Sequence, residues 1–250
     1  EFSTMSQAFN AMTDTIDHLI NDVYEKKLVT QESELRFLQS QINPHFMYNV
    51  LCSIALMAQM DGNTDIQKMA SNFAGLTQAR LSGGGDVKIP LAQELQYAKF
   101  YIELQQMRFG EKISYQVSVS SEELLTCLVP KLIIEMLVEN AVGHGIEPKD
   151  GAGTVHMSAG YAENGAIELV VSDDSVGFEG QNGEIPLPLD LPVSGNRHNR
   201  VALNTVYKIM QHLYGPAYGI HIISYEQIGT TVTIRLPREE NTYDQSPDCR

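Results

Sequence analysis

At 250 residues, 43% of them hydrophobic, the chain suffices for one large domain or two modest ones with a proper core. A formal net charge of −14 disfavours nucleic acid, whose binding calls for basic patches, and no apolar run is long enough to cross a bilayer as a helix. Three scattered cysteines, Cys52, Cys127 and Cys249, lack metal-ligand spacing; they argue against a disulfide framework or a zinc site and suit a reducing compartment. No signal peptide is visible, and the start at Glu1-Phe2 reads as a piece of something longer.

In chain order, residues 1 to about 108 read as mostly helical. Phe9, Met12, Ile16, Leu19 and Val23 recur every three or four positions, followed by Leu35, Leu38 and Ile42. So long a near-heptad stripe suits a coiled coil or bundle, with a helix docked on its own domain as the alternative. After a Gly62-Asn63 turn, a helix is predicted from about Asp65 to Arg80, stopped by Ser82-Gly83-Gly84-Gly85. Another spans Leu91–Arg108, turning Leu95, Ala98, Tyr101, Ile102 and Gln105 toward a core. Two such hairpins from two chains make a four-helix bundle, so a homodimer is expected.

From Gly110 the period changes to two. Strands are predicted at Ile113–Val119, Thr154–Gly160, Ala166–Ser172, Tyr218–Ser224 and Thr230–Leu236, with helices at Pro130–Val142 and Val201–Tyr214. The fold class is therefore α+β: an N-terminal helical hairpin, then an α/β sandwich with its helices on one face of the sheet. Residues 178–200, rich in glycine and proline, read as a loop, and the polar stretch from Arg238 as a loose tail.

Three stretches carry chemistry. In Ile42-Asn43-Pro44-His45-Phe46-Met47-Tyr48-Asn49 a histidine follows a proline within a helical pattern, and Asn49 lies one turn on, on the same face. A neutral imidazole has a lone pair to attack phosphorus. By spacing alone, Asn43 could equally cap a helix that Pro44 starts, leaving His45 an ordinary surface residue. The helix PKLIIEMLVENAVGHGI, Pro130–Ile146, is apolar nearly all round apart from Glu135, Glu139, Asn140 and His144. An asparagine oxygen in a cleft can take one position on an octahedral Mg²⁺ whose other ligands are phosphates and waters. In VVSDDSVGF, Val170–Phe178, Asp173 ends an apolar strand. A partly desolvated carboxylate there accepts hydrogen bonds from an exocyclic amine; an Asx-turn leaving the strand is the alternative.

Together these stretches resemble the two-component sensor histidine kinases of the LytS/YesM-like group, whose acceptor helix carries Asn-Pro-His-Phe-x-x-Asn preceded by a glutamine, here Gln41. The likeness runs to about Pro237. It implies a last HAMP-linker helix over residues 1–30, dimerisation and phosphoacceptor helices over 31–108, a Bergerat-type ATP-binding domain over 109–238 and a disordered tail over 239–250. It implies ATP and Mg²⁺ as cofactors. His45 is then the phosphoacceptor, with Asn49 beside it, and Glu139 orients it or takes its proton, since Phe46 follows His45 and not an acid. For Glu139 an ordinary helix-surface carboxylate is the competing reading. The ATP-binding set is Asn140, also the metal ligand, with His144, Asp173 for adenine, Gly177 for close approach of backbone to nucleotide, Arg200 and Thr230. The implied partners are a second copy, a response-regulator aspartate and, through an upstream transmembrane sensor, a bacterial cell membrane, with this portion cytoplasmic. The Leu35–Ile42 stripe then lies in the dimer bundle, with Pro44 bending its helix.

Three departures from the group's pattern matter. Its Asp-Asn-Gly-x-Gly reads Asp173-Asp174-Ser175-Val176-Gly177 here, its Gly-x-Gly-Leu-x-Asn-Val reads Arg200-Val201-Ala202-Leu203-Asn204-Thr205-Val206, and the lysine before the box histidine is Gly143. The lost glycines of the second box cost backbone N–H contacts to phosphate at a helix start. Arg200 could substitute a guanidinium or obstruct the site. Two other readings stay open: a degenerate pseudokinase scaffold, and an ATP-driven clamp. The clamp leaves His45 unexplained and has Met136 where such ATPases carry a catalytic glutamate.

Overall fold

The computed structural model describes residues 44–81, 87–189 and 197–240, with the backbone alone for Pro44, Leu81 and 197–200. The predicted heptad stripe, the triple-glycine stop and the distal tail lie outside the described residues. Met47–Arg250 is one compact unit, and the described residues Pro44, His45 and Phe46 belong to the other.

Helix α1, Pro44–Met60, and α2, Thr64–Leu81, are joined at Gly62, whose φ of 72° suits a residue without a side chain. Asn63 caps α2, its Oδ1 accepting the Ile66 N–H at 3.1 Å. Alanines 55, 58, 70, 74 and 79 are buried along these helices. Small residues let helices approach, and at Gly75 the reason is explicit: a Cβ there would lie 2.4 Å from the Phe100 ring of the next helix. That helix, α3 (Leu91–Phe109), follows the short strand β1, Lys88–Pro90.

The remaining elements are β2 (Ile113–Val119), β3 (Leu128–Pro130), α4 (Ile133–Asn140), β4 (Gly153–Tyr161), β5 (Ile167–Asp173), β6 (Asn182–Ile185), α5 (Arg197–Tyr214), β7 (Gly219–Tyr225) and β8 (Gly229–Leu236). Six strands form a mixed sheet in the order β2-β4-β5-β8-β7-β6, in which only β2 and β4 run parallel; β1 and β3 pair separately. Alternation in β4 and β5 buries Val155, Met157, Ile167, Leu169 and Val171 against α3, α4 and α5. The α+β class and the layered α/β domain are thus as the periodicities predict.

Three details differ from the sequence reading. The helix predicted from Pro130 starts at Ile133, because Leu128–Pro130 pairs with β1 and Leu132 turns left-handed at φ 67°. Asn182–Ile185, in the predicted loop, pairs with β7; four residues beside glycines and prolines give too short a pattern to read. Residues 238–240, predicted to open a loose tail, are held in the fold. The Glu239 carboxylate pairs with Lys88, its carbonyl accepts the Leu128 N–H at 2.8 Å, and Glu240 bridges Cys127. Among the described residues no helix is long and apolar enough to cross a membrane, no metal-binding cluster occurs, and Cys52 and Cys127 are free thiols.

Candidate nucleotide site

Helix α4 is set in place by a carboxylate 38 residues earlier. Glu94 lies on the stripe of α3 that also buries Leu91, Ala98 and Ile102, and it is fully buried. It accepts the N–H groups of Leu132 and Ile134, each at 2.8 Å, filling the bonds that a helix start leaves open. Burial outweighs these hydrogen bonds and pushes its carboxyl up to about 7. A left-handed leucine is strained, and the Glu94 carboxylate holds that strain at the entry to α4.

After Asn140 the backbone widens into a π-helical turn, Ala141–Ile146. A cleft of about 520 Å³ lies beside α4, this turn and the start of α5, lined by Met136, Glu139, Asn140, His144, Val201, Ala202 and Thr205. Asn140 is 8% exposed, and its Oδ1 is buried with no hydrogen-bond partner among the described residues. Such an acceptor is costly unless something fills it, and a cation ligated by oxygens fits it. The structure therefore brings three residues singled out in the sequence, Glu139, Asn140 and His144, into one cleft. Arg200 falls in the first turns of α5, but its side chain lies outside the described residues.

The Asp173 end is a second cluster. Asp173 Oδ1 accepts the N–H groups of Ser175 and Thr230, both at 3.2 Å. Burial raises its pKa, against the opposing pull of the Ser175 and Thr230 hydrogen bonds. Gly145 links the two clusters: a Cβ there would stand 2.5 Å from Ser175 Oγ and 3.4 Å from Asp173 Oδ1. Ser175, in place of the group's glycine, fits because residue 145 has no side chain. Gly177 has φ 66°, and its missing Cβ faces the Tyr225 carbonyl oxygen at 2.2 Å, so packing alone demands glycine here. The Thr230 hydroxyl bonds Ser224 Oγ at 2.9 Å, and Ser224 also accepts the Phe178 N–H at 2.9 Å. Asp174 Oδ1 takes the Thr154 N–H at 2.8 Å and Lys149 Nζ at 3.1 Å, stitching β4 to the end of β5.

Several groups escaped the sequence reading. Arg80 of α2 pairs with buried Glu135 and, at 2.7 Å, with Glu139. Burial opposes the arginine's charge and the two carboxylates more than restore it. Glu94 could have been found as the polar member of an apolar stripe, whereas Glu135 and Glu139 were singled out in the sequence and, one turn apart, suit a shared cation. Nothing in the sequence marks Arg80 as the partner of Glu135 and Glu139, or Ser224 as the partner of Thr230.

His45 is exposed in the first turn of α1, and Asn49, one turn on, is also exposed. Along the following faces Met47, Val50, Ile54 and Met57 of α1 and Ile66, Met69 and Phe73 of α2 are exposed as well.

A helix-on-sheet sandwich of this kind, with the Asn140 cleft and the Asp173 cluster on it, matches known ATPase modules. The model for the histidine kinase-, DNA gyrase B- and HSP90-like ATPases matches residues 129–240, and the histidine kinase model matches residues 33–113. Sensor histidine kinase YesM of Bacillus subtilis (strain 168) is 29% identical over 237 residues, covering 95% of this chain and 39% of that protein. Sensor histidine kinase YpdA of Escherichia coli (strain K12) is 31% identical over 211 residues, 84% of this chain and 35% of that protein. Sensor protein LytS of Bacillus anthracis is 29% identical over 218 residues, 86% and 36% respectively. The chain belongs to the sensor histidine kinases, in their LytS/YesM-like group. It spans less than two-fifths of the length of these curated relatives.

Proposed function

We propose that this chain is the kinase portion of a membrane sensor: it binds Mg·ATP, phosphorylates His45 and passes the phosphoryl group to an aspartate of a response regulator. The observation that carries the reading is the buried, unpartnered Oδ1 of Asn140 in a cleft beside the Asp173 cluster. Asp173 meets the exocyclic amine of adenine through the carboxylate oxygen that the Ser175 and Thr230 N–H groups leave, near Thr230 and Gly177. Asn140 Oδ1 would hold Mg²⁺, which would supply charge neutralisation at the phosphates, and His144 and Arg200 are assigned to phosphate binding. Glu139 takes the proton that His45 loses, with Asn49 orienting the imidazole; the γ-phosphorus bond to the leaving ADP oxygen breaks as the bond to the imidazole nitrogen forms. Such transfer rests on positioning and charge more than on covalent help from the protein.

The exposed apolar faces of α1 and α2 support a homodimer, since seven large side chains in rows on two helices favour a matching surface. In this reading residues 1–30 bring the signal from an upstream sensor in a bacterial cell membrane, 31–108 dimerise and carry His45, and 109–238 bind nucleotide in the cytoplasm.

One observation favours a second reading. Ala202 lines the cleft where the group's pattern has backbone-exposing glycine, with Val201 beside it, as a pseudokinase scaffold with little ATP binding requires. Labelling with γ-labelled Mg·ATP decides between them. The kinase gives acid-labile label on the wild-type chain and none on His45→Ala. Absence of both label and nucleotide binding leaves the scaffold.

A further inference from the structure

The proposed site lacks visible positive charge. Among the described residues lining the cleft none is lysine or arginine, and Gly143 stands where the group has a lysine. Yet the Glu139 carboxyl group stands on that lining, and buried Glu135 lies one turn before it. Bound ATP would add more negative charge than Mg²⁺ and Arg200 of the proposed site together offset, which leaves a place for a further cation.

A cation from a neighbouring helix is in reach. Arg80, near the end of α2, is 47% exposed, and its guanidinium stands a single hydrogen bond from the cleft lining, through Glu139 at 2.7 Å. Both of its ion pairs, to Glu135 and Glu139, use one nitrogen, Nη2. A guanidinium has five N–H donors in a planar fork that matches phosphate oxygens two at a time. Anchored by Nη2 on two carboxylates, the fork has further donors beyond those these two pairs use.

We infer that Arg80 is a further catalytic residue: it bridges Glu139 and the terminal phosphate of bound ATP, supplying from helix α2 the charge that Gly143 does not. The inference rests on the proposed Mg·ATP reading of the cleft. It goes beyond that reading by giving a residue outside the ATP-binding motifs a direct role at the phosphoryl group in flight. It also distinguishes ATP from ADP, because the terminal phosphate is the group contacted.

The test uses the full chain and measures dissociation constants for Mg·ATP and Mg·ADP on wild type, Arg80→Gln and Arg80→Lys. Loss of a charge-assisted hydrogen bond predicts ATP affinity about 10- to 100-fold weaker in Arg80→Gln, with ADP within about 2-fold of wild type. Arg80→Lys, which keeps the charge and loses the fork, falls between them. A tie that only holds α4 in place would weaken both nucleotides alike, so equal loss, or no loss, overturns the inference. Should Arg80→Gln not fold by thermal unfolding, Arg80→Lys carries the test, and an unchanged ATP-to-ADP ratio there overturns it. If the wild type binds neither nucleotide, the kinase reading and this inference fall together. If it binds ATP and Arg80→Gln keeps the same ratio, only this inference falls.

Discussion

The two ends of the candidate site are built on different terms. At the Asp173 end nearly every polar group is already engaged: Asp173 with two backbone N–H groups, Ser224 with Thr230 and Phe178, Asp174 with Thr154 and Lys149. Glycines 145 and 177 are there because neighbours fill the space a Cβ would take. At the Asn140 end the cleft has one orphaned acceptor, an apolar wall of Met136, Val201 and Ala202, and a carboxylate tethered from another helix. The first end is a scaffold that stands without ligand. The second is completed by what binds. The chain departs from its group at both ends, and at the serine at 175 the bare Gly145 beside it leaves the room.

That contrast can be broken most sharply at the Asn140 end. Asn140→Ala removes the orphaned acceptor, and Mg²⁺-dependent ATP binding is expected to weaken by about 100-fold, as for loss of a metal ligand, with folding intact. Titration with and without Mg²⁺ checks this; unchanged Mg²⁺ dependence would take the metal away from Asn140.

The scaffold end responds in stability instead. Gly145→Ala sets a methyl against Ser175 Oγ and is expected to destabilise by about 1–3 kcal/mol. Adding Ser175→Gly should return most of that loss in denaturant unfolding, since the two positions share one space. Additive losses would show that Ser175 is not what Gly145 accommodates.

Beneath both ends, Glu94 makes stability depend on pH. Its carboxyl titrates at about 7 in the fold against 4.5 ordinarily, so the folded chain binds more protons across that window. The stability it contributes is complete below 4.5 and is lost as pH rises through about 7, a fall on the order of 3 kcal/mol. Glu94→Gln should flatten that part of the stability–pH profile; a profile of wild-type slope would deny the assignment.

The smallest effect belongs to the phosphate wall. Ala202→Gly restores a bare backbone to the cleft and should tighten ATP binding by about 2- to 5-fold, against a glycine cost of about 1 kcal/mol in helix stability.

How legible each end was follows from the range of the contacts. Strand alternation and the apolar α4 pattern are local, so the sandwich and the Asn140 and Asp173 positions could be read from neighbouring residues. The left-handed turn at Leu132 could not, because the carboxylate that sustains it is on α3. Gly177 shows a subtler limit. Sequence marks the glycine, but only the fold reveals that the Tyr225 carbonyl already demands it, whatever nucleotide comes near. Glu139 was legible as a candidate, whereas its tether to Arg80 joins residues 59 apart and left no local trace.

The most direct test of the account is calorimetric titration of Mg·ATP into the wild-type chain and into Asp173→Asn, a change that keeps the side chain's shape and reverses one of its hydrogen-bonding ends. The account predicts a saturable wild-type isotherm and no measurable binding by a folded Asp173→Asn chain. Equal affinity in the two would contradict it, and would place any nucleotide this protein binds somewhere other than the Asp173 end.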